Sequence, residues 1–164
     1  MREMVPEPLT AEAFAPFGRV IEASDAAMKI DINQGHAVRY DALAEVDVAD
    51  EGGVPVISIF RAQPLAELVL KTFERHPLGS QSFVPLSGRP YLVAVAPPGE
   101  FDASAVRVFR AEGGQGVHYG KGTWHHFLLV LEADTDFLVV DRAGSGENCE
   151  EVSMPAIEYI RAVR

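Results

Sequence analysis

Cysteine is nearly absent: Cys149 is the single one in 164 residues, so no intramolecular disulfide framework can staple the chain. That fits a reducing compartment. Cations are also scarce, with 14 Lys and Arg against 24 Asp and Glu and a formal net charge of −10. Nucleic acid and anionic membrane surfaces both demand clustered Lys and Arg, so neither is an expected partner. No window approaches eighteen apolar residues without a charge, which excludes a spanning helix. The N-terminal MREMVPEPLTAEAF has no cationic segment leading into an apolar run and does not read as a secretory signal. Internal repeats, linkers and low-complexity tracts are missing too. The expectation is a soluble cytoplasmic protein of one domain, 1–164, long enough to bury a full core.

What the chain does have is many short β-type runs. Thr10 is placed to cap a short helix over 9–14, which Pro16 and Gly18 stop. Arg19–Glu22 reads as a first strand, 24–53 is weakly patterned with a turn at Asn33-Gln34-Gly35, and 41–50 is an acidic, solvated stretch. Strands are expected at 54–61, in the run into His76, and at 82–86, 91–96, 106–109, 124–131 and 137–141. Pro64 is expected to begin a helical turn before the run into His76. Short strands at this spacing, with few helices, predict an antiparallel sandwich or barrel. Phe127–Leu131 is apolar on both faces, so an outer face is expected to pack on a helix or a second subunit, and a homodimer is the preferred assembly.

Two polar clusters carry chemistry. In Glu74-Arg75-His76, strand alternation points Glu74 and His76 one way and Arg75 the other, and Gln81 follows beyond the Pro77-Leu78-Gly79 turn. In the second, Tyr119, Lys121, Trp124, His125 and His126 sit on a glycine-rich turn that runs into a strand. In a continuous strand His125 and His126 face opposite sides, which leaves His125 to look into the pocket and His126 to pack or support. Cys149 has no evident base nearby and reads as a small buried residue after a turn.

Gly120-Lys121-Gly122-Thr123-Trp124-His125 resembles the second cupin motif, with Gly120 in place of proline. Glu74, His76, Gln81 and Gly88 resemble the first, with Glu74 in the place of a histidine and Gln81 in the place of the glutamate. The resemblance implies a mainly β, cupin-like double-stranded β-helix (jelly-roll barrel) with a few short helices. It also implies a degenerate metal set of Glu74, His76, Gln81 and His125, which could hold a divalent ion or leave catalysis metal-free. RAQP at 61–64, ERHPLGSQSFVPL at 74–86, GVHYGKGTWHH at 116–126 and DFLVVDRAGSGENCEE at 136–151 resemble the ureidoglycolate lyase family. That resemblance implies cupin-like homodimers of allantoin degradation that cleave (S)-ureidoglycolate, a small carboxylate, to glyoxylate and urea.

Such an elimination needs a base for the hydroxyl proton, an acid for the departing nitrogen, and cations for the carboxylate and the developing oxyanion. His76 and His125 are the acid/base candidates. Lys121, with Arg61, Arg75 or Arg39, is a candidate carboxylate clamp, and each arginine alternatively forms a surface ion pair. Gln81, Asn33 and Tyr119 are candidates for the urea amide. Two other functions stay open: a metal-dependent cupin acting on another small hydroxy or keto acid, which predicts loss of activity with chelator, and a metabolite-binding cupin without turnover.

Overall fold

The β-branched and aromatic runs form strands in the computed structural model, which describes residues 2–161. In chain order these are β1 (Glu3–Met4), β2 (Glu7–Pro8), the helix α1 (Ala11–Phe14), β3 (Gly18–Ile21), β4 (Lys29–Ile32), β5 (Ala37–Tyr40), β6 (Val54–Ala62) and β7 (Val69–Arg75). There follow β8 (Gln81–Pro85), β9 (Tyr91–Ala96), β10 (Arg107–Ala111), β11 (Gly116–Tyr119), β12 (Trp124–His125), β13 (Leu129–Val130), β14 (Thr135–Ala143) and β15 (Glu150–Ile160). Thr10 caps α1 as expected, its hydroxyl accepting from the Ala13 amide at 3.2 Å.

An eight-stranded sheet in the order β1-β15-β7-β12-β9-β10-β2, with β13 also on β9, faces a five-stranded sheet in the order β3-β11-β8-β14-β6. The chain is mainly β, and the sheets curl into a cupin-like barrel. Between them lies a core of Phe14, Phe17, Phe83, Tyr91, Val93, Val95, Phe109 and Phe137. A second core on the other face of the large sheet gathers Leu70, Phe73, Leu92, Ala94, Trp124 and Leu129. β9 serves both cores, Tyr91, Val93 and Val95 to one and Leu92, Ala94 and Ala96 to the other, and all six of its residues are buried. That explains a run that is apolar on both faces. No helix among the described residues is long and apolar enough to cross a membrane.

Two local expectations are corrected, and a third, the turn at Asn33-Gln34-Gly35, holds within a hairpin that the weak pattern did not show. Residues 64–68 are bends and coil that lead into β7, not a helical turn. The strand expected at 124–131 is interrupted: β12 ends at His125 and β13 begins at Leu129. At the break each of two histidine rings bonds the carbonyl of the next residue. Finally, 24–53 contains the hairpin β4–β5, which turns through Asn33, Gln34 and Gly35 at positive φ and joins neither large sheet.

Candidate active site

Register places the chemistry. On β8 the inward row is Gln81 and Phe83, and Gln81 lies opposite Tyr119 of β11, which follows the inward Val117. On the facing sheet Glu74 lies opposite His125, and His125 opposite the core residue Val95. Glu74, His125, Gln81 and Tyr119 therefore meet at one end of the barrel. They line a cavity of about 460 Å³ together with the apolar Phe60, Phe83, Phe127 and Leu128. Gln81 and His76 also line an adjoining cavity of about 280 Å³ with Asp141, Asn148 and Cys149.

The histidines share one arrangement. His76 donates its Nδ1–H to the Asn148 carbonyl at 2.7 Å, His125 to the His126 carbonyl at 3.2 Å, and His126 to the Phe127 carbonyl at 3.1 Å. A carbonyl can only accept, so each Nδ1 carries a hydrogen, and Nε2 is the atom through which such a ring offers a lone pair when neutral. All three Nε2 atoms are buried and lack a partner. A bonded Nδ1–H with an exposed lone pair on Nε2 is the arrangement of a metal-ligating histidine. Burial, with the neighbouring His76 charge second, pushes His125 down to about 3, so it stays neutral at working pH.

One Glu74 oxygen (Oε1) is 3.8 Å from His76 Nε2, and the His76 and His125 rings are 5.2 Å apart. Donor atoms of Glu74, His76 and His125 all lie within 4.8 Å of one another. Three bare acceptors this close, two of them without protein partners, fit a divalent ion that takes imidazole and carboxylate. Gln81 donates from Nε2 to Asp141 at 3.1 Å, which leaves its Oε1 buried and unpaired. Tyr119 stacks flat on His125, with centroids 4.4 Å apart and planes 9° apart, and fixes that ring. Burial first, then the Glu74 charge, raises the Tyr119 phenol, which therefore remains a donor.

The other candidates divide. Arg61 lines the mouth of the larger cavity while it bonds Asp136 through Nε at 2.8 Å. Arg75 points away, stacking on Trp124 and bonding Glu150 and the Gly99 carbonyl. Lys121 turns to Asp50 and Asp47 and lines a separate cavity with His118 and Ser80. Arg39 pairs with Asp41 at 2.6 Å, and Asn33 is exposed in the β4–β5 turn, so the hairpin holds both outside the cluster. His126 lines the larger cavity together with His125, because the strand break removes the strict alternation that would have separated them. Cys149 is exposed rather than buried, with its thiol donating to Glu74 Oε2 at 3.6 Å, since the turn it follows opens onto the site. Asp141 was missed altogether. Its signal was present, because Phe137, Val139 and Asp141 continue one inward row, but an acidic residue at a strand end reads as a surface group.

Comparison with known proteins joins this geometry to a family. The family model for ureidoglycolate lyase matches residues 1–160. The chain belongs to the ureidoglycolate lyase family. A ureidoglycolate lyase of Burkholderia mallei is 53% identical over 156 residues, covering 94% of this chain and 91% of that protein. One from Pseudomonas entomophila is 52% identical over 157 residues, covering 94% and 93%, and one from Burkholderia cepacia is 53% identical over 150 residues, covering 90% and 84%. Membership thus spans both halves of the site, the ERHPLGSQ block and the GKGTWHH block.

Proposed function

We propose that this chain, as one catalytic domain, cleaves (S)-ureidoglycolate to glyoxylate and urea. The observation that carries the reading is the convergence of Glu74, His76 and His125, with Gln81 beside them in the wall shared by two adjoining cavities, in a member of this family. Ureidoglycolate bears a carboxylate, a hydroxyl and a ureido nitrogen on one carbon. Its breakdown moves the hydroxyl proton off, breaks the C–N bond, and returns a proton to nitrogen.

Glu74, His76 and His125, with Gln81 Oε1 as a fourth donor, would hold a divalent cation. Such an ion, when bound, would supply Lewis acidity toward the substrate hydroxyl and the developing charge. The protein does the rest. Glu74 has one oxygen toward His76 and the other toward Cys149, and the latter is placed to accept the hydroxyl proton. The Tyr119 phenol, kept protonated, hydrogen-bonds the departing nitrogen, and the proton that Glu74 takes from the hydroxyl is the one returned to that nitrogen. His125, whose ring stays neutral, offers Nε2 as an acceptor, and His76 presents its own Nε2 beside Glu74. Phe60, Phe83 and Phe127 line the cavity and exclude water, while the Arg61 guanidinium is held by Asp136 on the outer face of the sheet. An exposed free thiol beside Glu74 suits the reducing cytoplasm.

The test is incubation with racemic ureidoglycolate, following glyoxylate and urea, with and without chelator. We expect equal amounts of the two products, half of the racemate consumed, and a loss of rate with chelator that added metal restores. Ammonia and carbon dioxide in place of urea would overturn the lyase reading.

A further inference from the structure

The Gln81 amide has a fixed sense. Its Nε2 donates to Asp141 Oδ2 at 3.1 Å, and a carboxylate only accepts, so the amide cannot flip without losing that bond. Asp141 is carried inward by β14 on the row of Phe137 and Val139, both wholly buried. Gln81 is itself 7% exposed, and its Oε1 has no partner. An unpaired carbonyl oxygen in such a place costs stability unless something donates to it. Gln81 spans the wall between the two cavities, while Asp141 lies only in the smaller one.

Resting on the lyase reading, we propose that Asp141 is a positioning residue that makes Gln81 a one-way acceptor. Anchored from the smaller cavity, the amide turns its oxygen to the larger one, beside Glu74 and His125. There it accepts from the terminal N–H groups of the ureido moiety or donates its lone pair to the bound cation. It cannot donate to a carboxylate, so the substrate is received ureido end first, and a dicarboxylate of equal size meets an acceptor where it offers another. The pair supplies orientation and selectivity rather than proton transfer.

The experiment is a double-mutant cycle with a swapped pair, using purified full-length protein and ureidoglycolate. Asp141→Asn, nearly isosteric, lets the amide rotate, and the KM for ureidoglycolate rises about tenfold while kcat changes less than about threefold. In a Gln81→Leu background the same change adds less than about twofold, because the group it positions is gone. In the double variant Gln81→Glu with Asp141→Asn, the new amide donates across the same contact and one acceptor oxygen still faces the larger cavity. Its KM returns to within about threefold of wild type, an outcome that a merely structural role for Asp141 does not produce. If Asp141→Asn fails to fold, the swapped pair decides alone, and a KM raised about tenfold or more overturns the proposal. Multiplicative effects of Asp141→Asn and Gln81→Leu overturn it too. Wild-type protein that releases no urea overturns the lyase reading, whereas active wild type with a flat Asp141 series overturns this inference alone.

Discussion

At the scale of single residues, the buried imidazoles set the acid limit of the fold. His118 lies opposite Ser82 on β8, and the Ser82 hydroxyl and His118 Nδ1 are 2.7 Å apart. Burial first, and the Arg19 charge second, hold it below the ordinary histidine value of 6.5, with Asp47 opposing. A group whose folded pKa is depressed binds its proton more readily when unfolded. Its contribution to stability is therefore complete above pH 6.5 and is lost as pH falls from there toward the folded value. We expect the urea midpoint to fall on acidification below about pH 6.5, and a His118→Asn variant to show a flatter acid limb. Equal acid limbs in the two proteins would refute the assignment. Strand alternation and the resemblance to two cupin motifs single out Glu74, His76, Gln81 and His125, and the fold brings these four side chains together. Asp141 and the direction of Lys121 were hidden, because each depends on a partner 60 residues away or more, Gln81 in one case and Asp50 and Asp47 in the other.

The same division holds for the elements. β9 is legible since six consecutive apolar residues can be satisfied only by burial on both faces. The interruption between β12 and β13 is not, because the ring-to-carbonyl bonds of His125 and His126 that accompany it are invisible to a hydropathy pattern. The turn that follows β11 also defeats the pattern. Gly122 adopts φ 78°, and its amide bonds the His76 carbonyl at 3.0 Å, so the turn is docked against the first cluster by its backbone while the Lys121 side chain swings outward. There Lys121 ties the 47–50 segment to the barrel through Asp47 and Asp50, the latter bond raising the Lys121 pKa. Lys121→Met should then leave kcat within about threefold of wild type and cost at most about 1 kcal/mol of stability, the usual range for surface ion pairs. A hundredfold loss of kcat with unchanged KM would instead give Lys121 a part in the transition state.

For the whole molecule, the five-stranded sheet leaves one face open. Alternation on β14 sends Phe137 and Val139 inward and Leu138 and Val140 outward, in register with Ile59 and Ile57 of β6. Ile57 is 72% exposed, Ile59 55% and Leu86 55%. A contiguous apolar face of this kind is uncommon on a monomer, and a specific interface buries about 800 Å² per partner. Two copies that each carry a net charge of −10 can meet only where the charge is neutralised locally. On this face Asp136 is paired by Arg61. We therefore propose the outer face of this sheet as the contact between two copies of the chain. Light scattering should give a dimer for wild type and a monomer for Ile57→Asp combined with Ile59→Asp, each with a cooperative melt. Because the catalytic groups point from the opposite, inward face, the monomeric variant should keep kcat within a few-fold of wild type. A wild-type monomer, or a variant that stays dimeric, would place the contact elsewhere or remove it.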